Sequence, residues 1–228
     1  LAGQRSSYAR HECIGGAVME MVDGVHDRDA WAKAKPRYLP PDDPLMPCDA
    51  GFMPEDARPL CYTYLSKRFF EVAGIPDFVG IPPVSAVRQV FSLCNLIPEG
   101  QESERESCWG GAGEEFVASA MNRDIRNIED ISDADLTHVH EWCALAPHRE
   151  AQESCIMAAR TNLFWGGEND PRAAIALCRL TEDPVIRDAC YRKLTNDALY
   201  FLGKTPAIFR VCVNLPEPHR SFCLVNGT

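Results

Sequence analysis

One phrase recurs along the chain and restricts what it can fold into: a Cys, ten to thirteen residues carrying Pro or acidic side chains, then a second Cys. Copies run from Cys48 to Cys61, Cys94 to Cys108, Cys143 to Cys155, Cys178 to Cys190 and Cys212 to Cys223. Three residues before the second Cys stand Arg58, Arg105, Gln152, Arg187 and Arg220 in turn, and Arg10 stands three before the unpartnered Cys13. Such regularity implies one local geometry built again in each copy, which is the mark of a repeat architecture.

The residues around each phrase identify that geometry. After the second Cys, apolar side chains fall at offsets +1, +4, +8, +9 and usually +12, as in Tyr62, Leu65, Phe69, Phe70 and Ala73, or Tyr191, Leu194, Ala198, Leu199 and Leu202. Steps of three, four and one keep them on one stripe of a helix. A shorter apolar pattern precedes the first Cys, as in Val84, Val87, Val90 and Phe91 before Cys94. The unit is therefore an αα-hairpin pinned at its tight end, and its second helix is expected to open at the second Cys.

Two antiparallel helices cover only part of each other's apolar face, so neighbouring hairpins have to stack. The expected fold is all-α, a right-handed type of α-solenoid built from disulfide-stapled αα-hairpin repeats. It forms a single array over residues 1–228, with units at about 1–27, 28–74, 81–121, 133–167, 170–203 and 205–228. Residues 1–12 read as a polar lead-in. Residues 26–47 form an insertion in which a short helix around Trp31 is stopped by Pro36, Pro40, Pro41, Pro44 and Pro47. Residues 122–133 form a second, polar insertion.

Cysteines without any Cys-x-x-Cys pair point to disulfides in an oxidising compartment, and closely spaced zinc ligands are absent. Two registers are open. Near-constant loop length favours Cys48–Cys61, Cys94–Cys108, Cys143–Cys155, Cys178–Cys190 and Cys212–Cys223. Pairing each second Cys with the next first Cys, as in Cys61 with Cys94, also joins neighbouring helix ends. In the favoured register Cys13 would need a partner at or before Leu1. The chain is then expected to be a window on a longer protein, or Cys13 to bond another subunit.

A net charge of −10 argues against nucleic acid or an anionic membrane as partner, and no membrane insertion is expected. Gly110-Gly111-Ala112-Gly113 looks like a phosphate loop but lacks the Gly-Lys-Ser/Thr ending, so it reads as a close helix crossing, as does Gly15-Gly16. The recurrent Arg reads as a clamp on carbonyls or acids of the adjoining turn. Glu114, Glu115, Asp124, Glu129, Asp130, Asp133 and Asp135 form an acidic segment without the order of a calcium loop, so it reads as a solvated face.

His138 and His140 are the one dense His pair, and at i and i+2 on a helix they diverge too far to share one metal. No metal, cofactor or catalytic nucleophile is expected. Trp31, Tyr38, Trp142 and Trp165 suit either core packing or partner contact. Asn226-Gly227-Thr228 matches a glycosylation sequon, so a glycan at Asn226 is an option.

The compact copies, whose first Cys residues 143, 178 and 212 are 35 and 34 places apart, resemble the tetratricopeptide and Sel1-like repeats in period and paired helices. The disulfide-stapled hairpins resemble the cysteine-rich secreted branch of the Sel1-like proteins. The likeness is architectural, since the Leu-Gly-x-x-Tyr and Gly-x-Gly-Val phrases are absent. It implies a partner-binding superhelix outside the cytoplasm. The expected function is a non-enzymatic repeat scaffold, extracellular, at the cell surface or periplasmic, that binds a protein partner or self-associates. The alternative is a secreted enzyme or metal-dependent binder with a site near His138 and His140.

Overall fold

Among the described residues the long apolar stripes of the sequence lie on helices. The structure is a computed structural model that describes residues 2–23, 28–75, 80–166, 169–203 and 205–227, with the backbone alone at 2–8, 23, 28 and 129. In order the helices are α1 (Ala2–Asp23), α2 (Arg28–Tyr38), α3 (Arg58–Val72), α4 (Val84–Cys94), α5 (Glu102–Ala120), α6 (Asp133–Ala144), α7 (Arg149–Gly166), α8 (Arg172–Leu180), α9 (Pro184–Leu202), α10 (Pro206–Cys212) and α11 (His219–Gly227). The described residues contain no β-strand.

Local chemistry sets the helix boundaries. The Ser132 side chain accepts from Asp135 N at the start of α6, and Asp183 accepts from Val185 N and Ile186 N at the start of α9, where Pro184 takes the first helical position. At the end of α3, Ile75 N donates to Phe70 O and Gly74 N to Glu71 O, with Gly74 at φ +81°. This is the left-handed exit that glycine makes at least cost. Asn122, at φ +50°, performs the same turn after α5.

The second helices of successive units pack in series, α1 on α3, α3 on α5, α5 on α7, α7 on α9 and α9 on α11. The shorter helices lie against them, with α4 on α3 and α5, α6 on α5 and α7, α8 on α7 and α9, and α10 on α9 and α11. The core runs between the two sets. Phe116 of α5 meets the rings of Phe70, Phe91 and Trp142 at centroid distances of 5.5, 6.0 and 5.4 Å, so one side chain ties α3, α4 and α6 to α5. Burying rings of this size contributes about 2–3 kcal/mol each.

Disulfides join Cys48–Cys61, Cys94–Cys108, Cys143–Cys155, Cys178–Cys190 and Cys212–Cys223, which is the register closing loops within the phrase. Cys13 is a free, exposed thiol. Five intramolecular disulfides point to an oxidising, extracellular-type environment. Among the described residues no helix is long and apolar enough to cross a membrane.

Four expectations need correction. Residues 2–12 are helical, part of α1, because nothing from Ala2 to Glu12 stops a helix; Gly24 lies outside the described residues. The later second helices begin three to six residues before their Cys, at Arg58, Glu102, Arg149, Pro184 and His219. The acidic side chains Glu102, Glu104 and Glu150 suit the positive end of a helix dipole.

The unit at 28–74 is not a plain hairpin. α2 runs through Pro36 to Tyr38, and residues 39–54 follow as an irregular loop carrying Cys48, because Pro40, Pro41, Pro44 and Pro47 lack the amide hydrogens a helix needs. The polar insertion at 122–133 contains a 3₁₀ segment (Ile125–Asp130) whose Ile128 is fully buried.

Candidate functional site

The three glycines of α5 create the most distinctive surface feature. A Cβ on Gly111 would lie 2.2 Å from Thr63 O of α3, and one on Gly113 would lie 2.2 Å from Cys155 O of α7. α5 is therefore wedged between its neighbours at backbone contact, as a close helix crossing requires. Gly15 differs from the expected backbone approach, since its Cα faces the Leu60 and Tyr64 side chains, and Gly16 faces open space.

With no side chains at Gly110 and Gly111, the surface sinks into a groove of about 480 Å³ bordered by α3, α5 and α7. Its walls carry Glu106 and Glu114 from α5, Glu150 and Glu153 from α7, and the hydroxyls of Thr63, Ser107, Ser154 and Thr161. No Lys or Arg lines it. A second hollow of about 380 Å³ shares Thr63, Gly111 and Glu114 and extends the depression toward Tyr64 and Lys67, where Glu115 pairs with Arg123 at 2.7 Å.

Among the described residues Glu106, Glu114 and Glu153 have no ion-pair partner, while Glu150 meets His148 Nδ1 at 3.1 Å. Glu114 lies where the two hollows join. Burial, with the charge of Glu115 adding to it, pushes its carboxyl up to about 7. A groove with carboxylates on both walls concentrates negative potential and favours cationic groups, with hydroxyls available for hydrogen bonds.

The acidic segment named in the sequence divides accordingly. Glu114 and Glu115 face this depression. Asp124 pairs with Arg126 at 2.7 Å and Asp135 accepts from Ser132 Oγ at 2.6 Å, so both serve local turns. The side chain of Glu129 lies outside the described ones. Glu106 and Glu153 were not singled out by sequence reasoning. Their signal was present, since both stand two residues before the second Cys of successive copies.

The repeated Arg acts differently from copy to copy. Arg187 donates to Thr181 O at 3.4 Å and Arg220 to Leu215 O at 2.9 Å, in each case the carbonyl three residues after the first Cys. Arg105 instead meets Glu102 at 3.2 Å, and Arg10 meets Asp56. Arg58 Nε is buried without a hydrogen-bond partner.

His138 stacks on Trp142 at 5.8 Å, whereas His140 is held below its usual pKa by burial and has a buried Nε2 without a partner. The two imidazoles thus have different surroundings. Among the described residues no group of three or more His, Cys, Asp or Glu is arranged to hold a metal ion. Trp142 is buried, Trp31 stacks on Tyr38 at 6.3 Å, and Trp165 meets Phe201 edge-on at 4.6 Å. Asn226 Nδ2 donates to Phe222 O at 2.8 Å, and Thr228 of the sequon lies outside the described residues.

Comparisons with protein-family models, with curated proteins and with solved structures each return no match.

Proposed function

We propose that the chain is a non-enzymatic, disulfide-stapled α-solenoid of the extracellular, cell-surface or periplasmic space, similar in architecture to Sel1-like repeats, which binds a protein partner. The groove between α3, α5 and α7 is its binding surface, and a Lys- or Arg-rich segment of the partner is what it takes. The observation that carries this reading is the set of Glu106, Glu114 and Glu153, which face one depression without a cation of their own. Carboxylates held on rigid helices select partner charge and accelerate encounter more than they add affinity. The dissociation constant is therefore expected to be micromolar rather than nanomolar.

Fluorescence anisotropy with a labelled peptide of alternating Lys and Ser tests the reading, with a Glu-Ser peptide as control. Saturable binding of the Lys peptide is expected, weakened by salt and by the triple variant Glu106→Gln/Glu114→Gln/Glu153→Gln. Equal binding of both peptides, or an unaffected triple variant, would overturn it.

Self-association is the second reading, favoured by a separate observation. Phe209 on α10, Val213 directly after it, and Phe222 and Val225 on α11 are all exposed. In the preceding copies the residue three before the first Cys is Leu45, Phe91, His140 or Ile175, and the three apolar ones are buried, while Phe209 at that offset is 57% exposed. Exposed apolar side chains of this kind suit a second copy of the chain. Sedimentation of the wild type and of Phe209→Asp/Phe222→Asp checks it, with concentration-dependent association confined to the wild type.

A further inference from the structure

A hollow of about 480 Å³, away from the acidic groove, opens between α1, the end of α2 and the irregular loop at 39–54. Its lining is apolar except for Arg37 and the Tyr38 hydroxyl, with Val18, Met21, Met46 and Met53 among the wall residues. Volumes of this order are those of small-molecule sites, and thioether side chains let such walls adapt to ligand shape. The wall is built in advance of any ligand. The loop is fastened by Cys48–Cys61 and by Arg68, which donates to Pro40 O, while Pro47 and Met53 are themselves buried.

The mouth has the opposite character. Phe52 is 73% exposed beside it, an apolar ring left in water that an occupant would cover. Arg37 stands there with its guanidinium 5.7 Å from the Tyr38 ring centroid and, among the described residues, no carboxylate partner. No acidic side chain lines the hollow. In a chain of net charge −10, this is a local cation above an apolar cavity.

We propose that the hollow binds a small amphipathic anion, with an alkyl or aromatic body in the cavity and one carboxylate or sulfonate on Arg37. The apolar body supplies most of the binding, because the rest of the chain repels anions. The Arg37 fork selects the head group through charge-assisted hydrogen bonds.

Calorimetric titration with decanoate and with decanol, both below the concentration at which they self-associate, tests this directly. One saturable decanoate site is expected, about tenfold tighter than that for decanol, since one charge-assisted pair is worth that factor. Arg37→Gln, an exposed change, is expected to remove the difference by weakening decanoate alone. Ala17→Trp, at an exposed position of the α1 wall, is expected to abolish binding of both while circular dichroism confirms the helices. Absence of saturable decanoate binding, a decanoate preference that survives Arg37→Gln, or unreduced binding by folded Ala17→Trp would each overturn the proposal.

Discussion

Gly111 of α5 lies so close to α3 that a methyl group on its Cα would stand 2.2 Å from the carbonyl oxygen of Thr63. That approach seats α5 against α3 and leaves the groove floor without side chains. Gly111→Ala is therefore expected to destabilise the protein by about 2 kcal/mol or more, since two backbones have to move apart, although alanine is the better helix former. Gly16→Ala, where nothing lies within 4 Å, is the control and is expected to stabilise by up to about 1 kcal/mol. Urea unfolding of the two variants compares them.

The guanidinium of Arg160 is fully buried and bonds Asp197 at 2.9 Å across α7 and α9, with Lys193 on the other carboxylate oxygen at 2.9 Å. Asp197→Ala leaves the buried cation without its counter-charge and is expected to cost about 3–5 kcal/mol. The double change Arg160→Met/Asp197→Leu is expected to recover most of that loss. Thermal and chemical denaturation of the single and double variants measure the difference.

The Cys94–Cys108 bridge closes a loop of sequence separation 14 between α4 and α5, next to the groove. Replacing both Cys by Ala is expected to lower stability by about 3 kcal/mol, mainly by freeing the unfolded chain. The double variant is expected to keep its helical circular dichroism, because the apolar stripes still pack. Loss of helix at low temperature and without denaturant would show that the staple is needed for the hairpin itself.

The Glu114 carboxyl is held up at about 7 by burial. The folded state therefore favours its protonated form, and the group opposes folding increasingly as pH rises from the ordinary glutamate range to about 7, with no further change above. Glu114→Gln is expected to match the wild type near pH 4 and to exceed its stability by about 1–2 kcal/mol at pH 8, allowing for the water that reaches the groove. Unfolding free energies across that pH range decide the point, and an equal gain at both ends would assign it to packing.

How much of this was legible beforehand follows from the range of each interaction. The Cys phrases and apolar offsets are local patterns. They were enough for all-helical structure and for the reading of Gly110 to Gly113 as a crossing, and they favoured the five loop-closing disulfides over the second open register without excluding it. The same patterns misplaced helix starts, because the start signals ahead of the Cys, such as Asp183 with Pro184 and the acidic Glu102, Glu104 and Glu150, are not part of the apolar offsets. The repeated Arg looked uniform in sequence but finds a turn carbonyl only at Arg187 and Arg220, since the neighbouring acids at Glu102 and Asp56 compete for Arg105 and Arg10.

The sequence by itself determined the helices and the faces that must be buried and favoured the stapled turns, because each depends on residues a few places apart. Tertiary packing alone decided that Glu106 and Glu114 of one helix would face Glu150 and Glu153 of another across a floor of glycine, and that Arg37 would stand over an apolar cavity formed with α1. Charges and cavities of that kind arise between segments distant in the chain, so their position depends on how closely whole helices approach.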